Sequence, residues 1–184
     1  MKKILLSAAL ASIVGFAAVA PQSAQAYDGK LTINGKINDS TCVVTPGNGA
    51  SGTAGDVTVT MPEVQKAALA AKDAVAGEQA FTLTIGGPGQ SGCTNGMVAQ
   101  MTFDKTNVNA AGRLNNTGNA TNVDVELANA AGAAAINLLN NAQTPQITIA
   151  NNTAQLNYVA RYHATGVATV GSVSAVANYS VTYN

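Results

Sequence analysis

Residues 171–184 read Gly171-Ser172-Val173-Ser174-Ala175-Val176-Ala177-Asn178-Tyr179-Ser180-Val181-Thr182-Tyr183-Asn184. Val173, Ala175, Ala177, Tyr179, Val181 and Tyr183 fall on alternate positions, with Ser172, Ser174, Asn178, Ser180 and Thr182 between them. Successive side chains of an extended chain point to opposite faces, so this stretch predicts a strand with one apolar face.

The same period of two recurs upstream. Leu31, Ile33, Gly35 and Ile37 alternate with Lys30, Thr32, Asn34, Lys36 and Asn38. Val57–Met61 alternates and stops at Pro62, and Phe81–Ile85 leads into the turn Gly86-Gly87-Pro88-Gly89. Met97, Ala99, Met101 and Phe103 share a face, and Leu114–Asn119 is a turn cluster. Val123, Val125 and Leu127 predict a strand with Asn122, Asp124 and Glu126 outward. Ile147 and Ile149 predict a short strand; Leu156, Tyr158, Ala160 and Tyr162 predict a longer one, opposite Asn157, Val159 and Arg161. Only residues 63–76 break the rule: Val64, Ala67, Ala68, Ala71 and Val75 lie near helical spacing and predict a helical turn or two. Many short strands separated by Gly-, Pro- and Asn-rich turns indicate an all-β sandwich.

The N-terminus is built differently. Lys2 and Lys3 precede an apolar run from Ile4 to Val19, followed by Ala24-Gln25-Ala26. Basic head, apolar middle and A-x-A triplet are the parts of a secretory signal peptide. The run is short for a membrane span, which needs roughly 20 apolar residues. Cleavage is expected between Ala26 and Tyr27, giving segments 1–26 (signal), 27–38 and 39–184.

Composition narrows the function. The chain has nine basic and nine acidic residues. Without Lys2 and Lys3 it is weakly acidic, which argues against nucleic acid, whose phosphates call for a basic patch. Only 10% of residues are charged, which suits a surface largely covered by other copies of the chain. Cys42 and Cys93 are the two cysteines of a chain marked for export, so they are expected to form a disulfide. Closing that loop stabilises a fold by roughly 3–4 kcal/mol on the chain-entropy model.

Motifs for chemistry are missing. His163 is the single histidine, and its place after an alternating strand predicts a strand-end surface group. No three or four ligands cluster as a zinc site needs. Gly86–Gly89 lacks the Lys-Ser/Thr ending of a phosphate loop. Asp124 and Glu126 predict a solvated strand face rather than an acid pair. The residues imply neither enzyme activity nor a cofactor.

In order and spacing these segments resemble the pilins assembled by a periplasmic chaperone and an outer-membrane usher, of the type 1 and F17-like kind. Gly35-Lys36-Ile37-Asn38-Asp39-Ser40-Thr41-Cys42, Val59–Val64, Phe81–Ile85 with Gly92-Cys93, and Tyr158-Val159-Ala160-Arg161-Tyr162 each resemble a family motif. The ending resembles the family's terminal strand motif, with Gly171 and penultimate Tyr183; it departs in closing on Asn184 where several relatives have Gln. The resemblance implies an incomplete immunoglobulin-like β-sandwich, completed by a donor strand from a neighbouring subunit. It implies that residues 27–38 are that donor, with Leu31, Ile33 and Ile37 as plugs and Gly35 at a narrow point. The alternative is an ordinary first strand of a complete domain. It further implies that Gly171, Val173, Tyr179, Val181 and Tyr183 belong to the acceptor groove and chaperone contact. The implied partners are identical or related pilin subunits, the chaperone, the usher and, through the fibre, a host surface receptor. The implied destination is a cell-surface fimbrium reached through the periplasm. An accessory or adhesive subunit of the same fibre is the alternative role.

Overall fold

In a computed structural model, residues 42–184 are described; the signal segment 1–26, the cleavage point Ala26–Tyr27 and the extension 27–38 lie outside them. Nine strands, β1 Val44–Pro46, β2 Ser51–Gly52, β3 Val57–Thr58, β4 Val75–Gly86, β5 Val98–Phe103, β6 Val123–Ala128, β7 Gln146–Thr148, β8 Thr153–Ala164 and β9 Tyr179–Tyr183, follow one another with a single 3-10 turn, Lys66–Leu69, between β3 and β4.

Two sheets face each other. One has the order β1-β4-β8-β6, the other β7-β5-β9, and β2 and β3 form a small separate hairpin. Every pairing is antiparallel. The predicted alternation explains the core. Phe81, Leu83 and Ile85 of β4 and Leu156, Tyr158 and Ala160 of β8 turn inward from the first sheet. Ala99, Met101 and Phe103 of β5 meet them from the second. Phe81 stacks on Tyr158 at 5.6 Å, and Phe103 meets the same ring edge-on at 6.1 Å. Cys42 and Cys93 are bonded, with Cα atoms 4.7 Å apart.

Three sequence expectations are corrected. Of residues 63–76 only Lys66–Leu69 turns; Val75 already begins β4, paired with His163. Pairing along the whole of β8 outweighs the weak helical preference of an Ala-rich stretch. A bulge between Ala76 and Gln79 fits β4 to β8. It uses Gly77 at φ +69°, where a Cβ would lie 2.7 Å from the Tyr162 ring.

Secondly, the Asp124/Glu126 face is not solvated. Glu126 is 4% exposed and Arg161 7%. Arg161 Nε donates to Glu126 at 2.5 Å, one terminal nitrogen donates to Glu78 at 2.9 Å and the other to the Ala133 carbonyl at 2.9 Å. Glu78 in turn accepts from the Gly132 N–H at 3.0 Å. Asp124 is engaged by Arg113 at 3.3 Å and Asn109 at 2.8 Å. The loop following β6 is thus tied down over the outer face of the sheet, and the arginine with two carboxylates replaces water. Thirdly, His163 is buried on β8, not a surface group; its Nε2 lies 3.7 Å from the Asp73 carboxylate, and among the described residues its Nδ1 has no hydrogen-bond partner.

The Gly132 N–H, followed by Arg161, holds the Glu78 carboxyl below the usual carboxylate range. A depressed folded pKa stabilises the fold above the unfolded value, and that contribution is lost as pH falls through the folded one. Acid titration of unfolding should therefore show stability dropping from about pH 4.5 downward, and Glu78→Gln should flatten the drop. Equal slopes in the two proteins would remove Glu78 from the acid response.

Candidate functional site

Two extended segments flank an opening in the sandwich. On one side, Val57, Val59 and Met61 are partly buried while Thr58 and Thr60 are exposed. On the other, Val173, Ala175, Ala177, Tyr179, Val181 and Tyr183 are partly buried and the residues between them exposed. The period of two read from the sequence is kept over both. Beyond Thr58 and before Tyr179, however, neither segment is in a sheet among the described residues.

Between them lies an apolar cavity of about 620 Å³, floored by Phe81, Leu83, Phe103 and Leu127. A second of about 840 Å³ continues it past Tyr179 to Val181 and Tyr183, with Cys42–Val44 opposite. The two share Val57, Thr58, Val176, Ala177 and Tyr179, so they form one trough. Asp56 is the one charged lining residue among the described residues.

The backbone of the C-terminal wall has a definite polarity. Val98 and Asn184 exchange hydrogen bonds in both directions, and Asp104 N–H donates to Asn178 O. The even-numbered residues therefore point their polar groups toward β5. In an antiparallel ladder the odd-numbered ones must point theirs the other way, into the trough. Among the described residues no strand pairs with that edge. An edge of this kind is a template for another strand.

Two tyrosines span the trough near its far end. The Tyr179 hydroxyl donates to Gly55 O at 2.9 Å. The Tyr183 hydroxyl is hydrogen-bonded by the Cys42 N–H. Burial pushes both phenols upward; the Asp56 charge adds to this at Tyr179, whereas the Cys42 N–H opposes it at Tyr183.

Of the acceptor residues expected from the sequence, the structure brings Val173, Tyr179, Val181 and Tyr183 together along one wall. Gly171 sits apart. It packs against Asn119 and Ala120, where a Cβ would meet Asn119 Oδ1 at 2.5 Å, and it does not line the trough. Leu31, Ile33, Gly35 and Ile37 lie outside the described residues. The opposite wall, Val57, Val59 and Met61, was legible as a strand but not as half of a site.

Residues 31–184 match the family described as fimbrial protein. The chain is 38% identical to the F17 fimbrial protein of Escherichia coli, covering 93% of this chain and 96% of that one. It is 34% identical to the major fimbrial subunit SMF-1 of Stenotrophomonas maltophilia, strain K279a, covering 91% and 99%. A solved chaperone–usher pilus structure, concerned with rod uncoiling, superposes with a TM-score of 0.56 at 22% identity, covering 90% of this chain and 100% of that one.

Proposed function

Since this chain belongs to the fimbrial protein family and is a structural subunit of a cell-surface fimbrium, assembled with other pilin subunits, we propose that it polymerises by strand exchange. In this reading the segment 27–38 of one subunit enters the trough of the next. The observation that carries it is the trough itself, an apolar slot walled by two alternating segments, one of which turns a row of backbone donors and acceptors inward.

Strand addition uses two kinds of contact. Main-chain hydrogen bonds to residues 173–183 supply affinity, and alternate side chains filling the slot supply register. Leu31, Ile33 and Ile37 are the plugs, and Gly35 fits a narrow point because it carries no side chain. Lengths agree: at roughly 3.3 Å per residue, both the extension and the receiving edge span about 35–40 Å. Until the neighbour arrives, the slot needs another occupant, because an open apolar edge aggregates. A periplasmic chaperone strand delivering the subunit to an outer-membrane usher meets that need. Export through the periplasm follows from the signal segment 1–26 and suits the Cys42–Cys93 bond.

A photo-crosslinking residue placed at Ile33 tests the reading in assembled fibres. Adducts should join two subunits and map to residues 57–61 or 173–181 of the acceptor. Adducts only within one chain, or only outside those walls, would overturn it.

A further inference from the structure

The receiving edge is backed by a strand over only part of its length. Tyr179–Tyr183 rests on β5. Residues 172–174 instead rest on the turn 116–120. Thr117 N–H donates to Ser174 O at 2.8 Å and Ala120 N–H to Ser172 O at 3.0 Å. In return, Ser174 N–H donates to the side-chain oxygen of Asn116 at 3.0 Å, and Ser172 N–H to that of Asn119 at 2.5 Å. Two side-chain amides thus stand in for a missing strand. Asn116 is itself fixed, accepting from Gly118 N–H at 2.8 Å and donating to Ala120 O at 2.7 Å. Asn119 also accepts from the Ser172 hydroxyl at 3.0 Å.

We infer that Asn116 and Asn119 are positioning residues for strand uptake: by holding the back of residues 172–174, they present Val173 and Ala175 to the incoming strand in β register. The inference rests on the strand-exchange reading. Its chemistry follows from the even–odd polarity of the edge. Each backbone group of Ser172 and Ser174 occupied behind fixes the peptide planes whose other groups face the trough. Water in place of the two amides would leave that half of the edge free to twist. Gly171 belongs to the same device, because a Cβ there would lie 2.5 Å from Asn119 Oδ1 and 2.6 Å from Ala120 N. In its described contacts the Asn119 side chain uses only its oxygen, while the backbone N–H donates to the Ser172 hydroxyl at 3.3 Å, so an aspartate can replace it and an alanine cannot.

Hydrogen exchange on fibres assembled from the full chain tests this. Asn119→Ala should raise exchange over residues 172–178 by about tenfold, the equivalent of one to two lost hydrogen bonds, and leave β4 and β8 at wild-type rates. Asn119→Asp should restore protection. Gly171→Ala, which displaces the turn without removing an amide, should behave like Asn119→Ala. Failure of Asn119→Ala to form fibres, with recovery in Asn119→Asp, supports the inference equally. Wild-type protection of 172–178 in both Asn119→Ala and Gly171→Ala overturns it while leaving strand exchange intact, as does failure of Asn119→Asp to recover what Asn119→Ala loses. If the odd-numbered amides of 173–183, which face the trough, are unprotected in wild-type fibres, strand exchange itself fails, and the inference with it.

Discussion

Deleting residues 27–38 should abolish fibres while leaving a secreted, disulfide-bonded domain. The core among the described residues, where β4, β5, β6 and β8 supply Phe81, Met101, Val125 and Leu156, is taken as sufficient for folding. Under strand exchange the segment supplies a partner for the trough of another copy. Burying Leu31, Ile33 and Ile37 contributes roughly 1.5–3 kcal/mol for each side chain. Since about 1.4 kcal/mol is tenfold in an equilibrium constant, losing half of the total shifts association by roughly 40- to 1,600-fold. Electron microscopy of cells carrying the deletion should show no fibres, and the subunit should be recovered unpolymerised. Fibres of normal length and number would end the strand-exchange reading, whatever the trough looks like.

The second large effect is expected from Arg161→Ala. Arg161 sits between Glu126 and Glu78 on the covered face of the first sheet. Removing one partner of a buried pair leaves the other charge without compensation, which costs about 3–5 kcal/mol. Glu126 is the charge left behind. The loop after β6 also loses the hydrogen bond to the Ala133 carbonyl. Equilibrium denaturation of the folded subunit, with the Cys42–Cys93 bond intact, should show a loss of this size. Replacing both partners by apolar residues, Arg161→Met with Glu126→Leu, should recover much of it, because no charge is then stranded. A loss below about 1 kcal/mol for Arg161→Ala would place the pair with ordinary surface ion pairs.

Much of the architecture was legible because it is written in hydrophobic period. Phe81–Ile85, Ala99–Phe103, Val123–Leu127 and Leu156–Ala160 have inward-facing rows where alternation put them. The last strand kept its period from Val173 to Tyr183 even though only Tyr179–Tyr183 pairs in a sheet. Period says which face is apolar; it does not say whether anything lies against the edge. For that reason Val57–Met61 read as a strand, while its lack of a pairing partner beyond Thr58 among the described residues emerged only in three dimensions. Alternation also treats every polar row as solvent-facing. Glu126, Arg161 and His163 escaped because each is polar, yet buried. The turn cluster Leu114–Asn119 was visible in its Asn, Thr and Gly residues, but the use of its amides depends on Ser172 and Ser174, more than 50 residues away in sequence.

The Cys42–Cys93 bond bears on how a fibre responds to pulling. Under strand exchange, tension from one neighbour reaches the domain through its own extension and arrives at Cys42. Cys93 is bonded to it and lies five residues before β5. β5 pairs directly with β9, the edge that in the strand-exchange reading would hold the next extension. Load can therefore cross the subunit through the disulfide, a short stretch of chain and one ladder of hydrogen bonds. The 50 residues between the cysteines, β1 and β4 among them, hang outside that line and carry little of the force. Reduction would reroute the pull through β1, whose three-residue ladder to β4 would then be the first to yield.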